Sequence, residues 1–142
     1  MRQLAADLSR LGYDVLRFDY RGTGDSAGDM GEVSASDWLE DIVQAMEELR
    51  DISGASRISL LGLRMASVLA AQVAKSSSAR RLVLWDPVES GQAYLDEVLA
   101  AIEHAEEHDK TSNFVDAEGV IHFNGFSIPV AFQSSLAAML YP

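Results

Sequence analysis

The sequence contains no cysteine, three histidines and half as many basic as acidic residues. Without cysteine there is no disulfide, no thiolate metal site and no cysteine nucleophile. Eleven Lys and Arg stand against 22 Asp and Glu, a formal net charge of −11 with a pI near 4.5. That balance excludes a general positive field for nucleic acid or an anionic membrane surface. No apolar run approaches the ~20 residues of a membrane span. Asp7 and Arg10 interrupt any apolar stretch of a secretory signal near Met1. The expected compartment is the cytoplasm.

What is present is a foldable chain. Apolar residues make up 48% of 142 residues, a composition and length suited to one domain with a real core. Leu4, Ala5, Leu8 and Leu11 share one helical face, and Gly12 is placed to end that helix in a left-handed conformation. Tyr13 to Asp19, with Val15, Leu16 and Phe18, reads as a short buried strand. Residues 20–31 are rich in turn formers. Ser34 and Asp37 have capping-box spacing. The helix they start carries Trp38, Leu39, Ile42, Val43, Met46 and Leu49 inward.

Ile58–Leu61 is the second expected strand, Met65–Ala74 a helix of small residues, and Leu82–Trp85 the third strand. This alternation predicts a parallel α/β sheet covered on both faces. The pattern changes after Asp86-Pro87. Ser90 should cap a helix carrying Tyr94, Leu95, Val98, Leu99 and Ile102, followed by a hairpin over 120–128 with a type I′ turn at Asn124-Gly125. A last helix is expected from about 129 to 140. The chain therefore divides into a core α/β segment, 1–89, and a helix–hairpin–helix segment, 90–142, which the resemblance named below makes a cap.

Three stretches invite chemistry. Gly22-Thr-Gly-Asp-Ser-Ala-Gly28 is glycine-rich, but its G-x-G-x-x-x-G spacing lacks the Lys-Ser/Thr of a P-loop and opens no helix at once. A nucleotide site is therefore not expected, nor any other cofactor. Gly24-Asp25-Ser26 has the start of the GDSL esterase block, but Ala27 follows. His104 and His108 have the i,i+4 spacing of metal ligands, yet sit in an acidic helix that reads as a solvated face; no metal is expected. His122 alternates with Ile121 and Phe123 and reads as the polar side of the hairpin.

The third stretch is Leu61-Gly-Leu-Arg-Met-Ala-Ser67, entered by a strand and left by a helix. Small residues two before and two after the centre, Gly62 and Ala66, are what a tight strand-to-helix turn requires. This is the pattern of a nucleophile elbow, with arginine at its centre. A guanidinium is always protonated and only donates, so Arg64 keeps the geometry and removes the nucleophile. An ordinary arginine in a turn remains the plain alternative. Ser67 lies three positions into the helix, Ser59 in the strand and Ser26 in the loop, and no histidine supports any of them. Asp86, at the end of the third strand, stands where such sheets place functional residues or simply turns the chain before Pro87.

Phe18-Asp-Tyr-Arg-Gly-Thr-Gly-Asp-Ser26 followed by Gly62-x-Arg64-x-Ala66 resembles the middle of the α/β-hydrolase fold. Leu61–Ala66, Leu84-Trp-Asp-Pro-Val88 and Gly91-Gln-Ala-Tyr-Leu95 are similar to the exosortase-A-associated hydrolase 2 group, in the serine-aminopeptidase-like branch. That bacterial group accompanies exopolysaccharide and protein-sorting genes. The resemblance implies ester or amide hydrolysis for a complete member, and a catalytic acid and histidine on strands this chain does not show. It also implies strands before the opening helix, one of them between 14–19 and 58–61. The expected fold is thus an incomplete α/β-hydrolase-type sheet of about three parallel strands flanked by helices, plus a helix–hairpin–helix cap. The chain reads as a central fragment, or as a minimal domain completed by a homodimer or another partner chain. With no Ser-His-Asp set, it is expected to be inactive. The competing expectation is a non-enzymatic anion pocket for a carboxylate or phosphate. It would be built from Arg64 and the N–H groups of the helix starting at Met65, bordered by Gly24, Asp25, Ser26 and Asp86.

Overall fold

The hydroxyl of Ser34 accepts the N–H of Asp37, and the Asp37 carboxylate accepts the N–H of Ser34 at 2.8 Å, which closes the expected capping box. It starts α2, Ala35–Ser53, which ends at Gly54 with φ 70°. Around this helix a computed structural model describes residues 1–106 and 111–142. The order is α1 (Arg2–Arg10), a single 3-10 turn (Met30–Glu32), α2, β1 (Ser59–Leu63), α3 (Met65–Ser76), β2 (Arg81–Trp85) and α4 (Gly91–Glu103). Then follow β3 (Phe114–Val115), β4 (Ile121–Phe123), β5 (Phe126–Ile128) and α5 (Val130–Ala137).

β1 and β2 pair in parallel, Leu61 opposite Val83 and Leu63 opposite Trp85. The parallel sheet has two strands, not about three. Residues 14–19, expected as a strand, enter no ladder, and among the described residues no backbone hydrogen bond joins them to β1. Their strand pattern is real, but a strand exists only through a neighbour's N–H and C=O groups, and none is supplied to them here.

A second correction concerns coverage. Side chains of a strand alternate between faces. Ile58, Leu60 and Gly62 turn toward α3, with Ile58 3% exposed and Gly62 buried. On the opposite face Leu61, Val83 and Trp85 are 37%, 47% and 50% exposed. β1 is therefore covered on its α3 face only, and β2 is incompletely covered even there, with Leu84 39% exposed, although both apolar strands read as doubly buried.

The core lies between α2, α3, α4, α5 and the hairpin. Trp38, Ile42, Met46, Ile58, Leu69, Val73, Leu95, Val98, Ile121, Phe132 and Leu136 form one buried cluster running across residue 90. Trp38 stacks on Tyr20 and packs against Phe132, with ring centroids 4.5 and 4.4 Å away. Its indole N–H bonds the carbonyl of Arg21 at 3.1 Å, so a large buried ring loses no polar partner. Ser135 reaches the N–H of Ala35 at 2.9 Å, tying α5 to the start of α2. Val43, expected inward on α2, is 40% exposed.

Residues 90–142 hold more sheet than their pattern suggested. Asn124 and Gly125 both have positive φ, 50° and 82°, as a type I′ turn needs. The hairpin gains a third antiparallel strand, β3, too short to show a period. The last helix ends at Ala137, short of the expected 140, because the chain turns to bridge Leu140 to Ser90 and Met139 to the N–H of Gly91.

Candidate functional site at the strand-to-helix elbow

β1 hands over to α3 at a single residue. Arg64 has φ 55° and ψ −125°, a conformation that side chains rarely adopt and that costs on the order of 1–3 kcal/mol. The strain persists because the neighbours over-determine it. The Arg64 N–H bonds the carbonyl of Trp85 at 3.1 Å, extending the parallel ladder into the turn. The Arg64 carbonyl accepts the N–H of Ser67 at 3.0 Å and also its hydroxyl. Gly62 is indispensable: a Cβ there would lie 2.5 Å from the carbonyl oxygen of Ala66 and 2.6 Å from the Cα of Ser67. The small residues therefore stand where the strand and helix backbones nearly touch.

The guanidinium of Arg64 leaves the turn toward the carboxyl end of β2. It bonds Asp86 at 3.1 Å and also pairs with Glu97 of α4. Both contacts hold the Arg64 pKa above its ordinary value, the Glu97 bond more than the Asp86 bond. Asp86 itself has φ 46°. Tyr94, one turn before Glu97, is half-buried; burial raises its phenol pKa, opposed by the charge of Arg64. The tip is thus a partly exposed cation between two carboxylates. Ser67 cannot replace a nucleophile, since it is fully buried and spent on Arg64 and on the Tyr141 hydroxyl at 2.8 Å.

The glycine loop folds around a different residue. Ser26 donates to the carbonyl of Asp19 at 2.6 Å, and the Asp25 N–H points at its carboxylate at 3.4 Å. Gly24, with φ 53°, lies so close that a Cβ would meet that carboxylate oxygen at 2.4 Å. Among the described residues no hydrogen bond or ion pair joins Gly24, Asp25 or Ser26 to Arg64. Ser26 instead lines an open surface groove with Phe18, Asp19, Arg21 and Asp41. Arg21 anchors that side, bonding Asp41 at 2.7 Å, with Asp37 at 3.4 Å and Glu40 at 3.5 Å. Of the six expected site residues, Arg64, Met65 and Asp86 meet at the elbow; the other three gather at Asp19.

Two constellations had no reading in the sequence. Glu97 was unremarked because it belongs to the polar side of α4; the signal was its place three residues after Tyr94, in the helix that follows Asp86. The other is an array in the hairpin. His122 Nε2 lies 3.0 Å from Asp116 and His122 Nδ1 lies 3.0 Å from Ser127, with Phe114 stacked on the ring. His122 holds the Asp116 carboxyl below its usual range, with the Val120 and Glu118 N–H groups adding to the effect. Ser127 faces His122 directly across the strands and is exposed to water. The array acts as a polar clasp on an open hairpin face. His104 caps its own helix by bonding Ala100 at 2.8 Å; His108 lies outside the described residues. Among the described residues no cluster of three or more His, Asp or Glu could hold a metal, and no helix is long and apolar enough to cross a membrane.

Arg64 is thus a strained residue at the carboxyl end of a parallel strand, with small residues two positions before and after it and a helix opening directly behind it. The profile of the serine aminopeptidase S33 family matches residues 1–114, most of the chain and all of the elbow. The chain belongs to that family, within the α/β-hydrolase superfamily. A search of curated proteins found no match.

Proposed function

We propose that this S33-family chain retains the hydrolase elbow with Arg64 in the nucleophile position, and that it does not turn over esters or amides. The observation that carries the reading is the Arg64 backbone, φ 55° and ψ −125°, held by the Trp85 carbonyl and permitted by Gly62. A residue so placed projects above the sheet, with the next N–H, that of Met65, among the free donors opening α3. The geometry that would present a nucleophile presents a permanent cation instead. The subgroup we infer is that of the exosortase-A-associated hydrolases 2, on Leu61–Ala66, Leu84–Val88 and Gly91–Leu95, with residues 90–142 as the cap segment and the cytoplasm as its compartment. The test is hydrolysis of short-chain p-nitrophenyl esters and aminoacyl p-nitroanilides. The expected rate equals the buffer background.

The second reading is an anion pocket at Arg64 and the amino end of α3. The half-exposed guanidinium at a helix N-terminus favours it. Against it, Asp86 and Glu97 already flank the cation, so a carboxylate or phosphate has to displace one of them. Phosphate stabilisation gained only in the Asp86→Asn, Glu97→Gln double variant would show that the wild-type site is closed to anions; stabilisation of the wild type would favour the pocket.

A further inference from the structure

Behind the elbow, a chain of hydroxyls runs from Tyr141 to the strained residue. The Tyr141 hydroxyl lies 2.8 Å from Ser67 Oγ, and Ser67 Oγ bonds the carbonyl of Arg64. A serine hydroxyl has one hydrogen, and the Arg64 carbonyl can only accept it. Ser67 Oγ is therefore the acceptor toward Tyr141, and the phenol donates. Each bond polarises the next. Ser67 is fully buried, so water does not reach in to replace a lost partner.

The direction of that carbonyl matters because of what shares its peptide plane. Arg64 enters the turn with its N–H on the Trp85 carbonyl, which ties it to β2. Its ψ of −125° then decides where the next peptide unit points. In a trans peptide the C=O and N–H groups point in opposite directions. The Arg64 carbonyl is drawn onto Ser67 by both the hydroxyl and the N–H, the latter at 3.0 Å. The Met65 N–H is thereby turned the other way, out of the amino end of α3 and over the elbow.

The segment that carries Tyr141 has fastenings of its own. Past α5 the chain bridges Leu140 to Ser90 and lays the Met139 carbonyl on the N–H of Gly91 at 2.9 Å. The Leu140 carbonyl accepts the side-chain amide of Gln72. This strap is thus tied to α3 and to the start of α4 independently of the phenol. We propose that Tyr141 is a positioning residue of the elbow: through Ser67 it fixes the Arg64 carbonyl and, with it, the Met65 N–H that opens onto the site. The proposal rests on the retained elbow of the reading above, but not on the Arg64 side chain or on the absence of hydrolysis.

Hydrogen exchange followed by NMR on the full chain tests it. Tyr141→Phe keeps the ring and removes only the donor. Amide exchange at Ser67 should become roughly fivefold faster, as expected for one net hydrogen bond, and the Met65 amide resonance should move. The Gly91 amide, bonded to the strap but not to the phenol, should exchange at its wild-type rate. Added to Ser67→Ala, the same substitution should change exchange at position 67 by less than about twofold, because the link is already broken. Unchanged exchange at Ser67 in Tyr141→Phe would overturn the proposal. So would an equal acceleration at Gly91, since the strap would then have come away as a whole. An undiminished effect in the Ser67→Ala background would overturn it too, because the phenol would then act by packing. Ester hydrolysis by the wild type would overturn the reading of Arg64 and leave these readouts untouched.

Discussion

Arg64 and Asp86 end neighbouring parallel strands in the same way: each has a positive φ, 55° and 46°, and their side chains meet at 3.1 Å. The pair is exposed, 40% and 65%, so the ion pair itself contributes well under about 1 kcal/mol after screening. The backbone strain is the larger quantity. Arg64→Gly should therefore be more stable than Arg64→Ala by about 1–2 kcal/mol, because glycine accepts φ 55° freely. Urea unfolding of the two variants measures the difference; equal stability would mean the turn is not strained.

Gly62→Ala should be among the most damaging single methyl additions in the chain. The new Cβ would sit 2.5 Å from a backbone oxygen of α3, where no side chain can swing aside. The helix must shift off the sheet, at an expected cost of roughly 2–4 kcal/mol. Gly12→Ala is the control: it too has positive φ but nothing within 4 Å, so its cost should be limited to the backbone penalty of about 1 kcal/mol. Equilibrium unfolding of both variants checks the contrast.

Much of the elbow was legible in the sequence because its requirements are local. A strand pattern, Gly62, Ala66 and a small-residue helix dictate the turn whatever surrounds them, and the capping box at Ser34 and the turn at Asn124-Gly125 are equally self-contained. What was misread depends on distant partners. Residues 14–19 carry a strand's composition, but pairing is supplied by another segment, and pattern cannot show that it is missing. The bare sheet face escaped for the same reason: a continuous apolar run says that burial is favourable, not that a cover exists. Glu97 and the Asp116–His122–Ser127 array were hidden because polar residues on a helix side or hairpin face have no periodic signal for their partners.

Tyr20 sets a limit at alkaline pH. Burial, aided by the nearby charge of Asp41, pushes its phenol up to about 12. The folded state therefore holds this proton more tightly than the unfolded chain, whose tyrosines ionise near 10. The resulting stability is complete below about pH 10 and is lost as pH rises toward 12. Absorbance titration at 295 nm should show a phenol ionising near 12 that is missing in Tyr20→Phe, and that variant should flatten the alkaline fall in stability.

The hairpin clasp responds at the acid end. His122 and two backbone N–H groups favour the ionised form of Asp116, so its folded pKa lies below the unfolded one. Its contribution is present above an unfolded carboxylate pKa of about 3.9 and disappears as pH falls through the folded value. Asp116→Asn should remove that acid-side slope. It should also speed amide exchange at Glu118 and Val120, whose N–H groups bond Asp116 Oδ1 at 3.0 and 2.8 Å. Unchanged exchange at both amides would show that the carboxylate does not hold the loop.

The central claim is that an arginine occupies a hydrolase elbow and leaves this chain without a serine nucleophile. Intact mass after incubation with a fluorophosphonate probe tests it most directly. Loss of a triad nucleophile lowers turnover on the order of 10⁶-fold, so no serine beside the elbow should react faster than an exposed serine in a peptide. The expected spectrum is the unmodified 15.4 kDa chain, for the wild type and equally for Arg64→Ser, since among the described residues His104 and His122 are bonded elsewhere and neither reaches the elbow to serve as base. A stoichiometric adduct on the wild-type chain, mapped to Ser26, Ser67 or any other serine beside the elbow, would contradict the account.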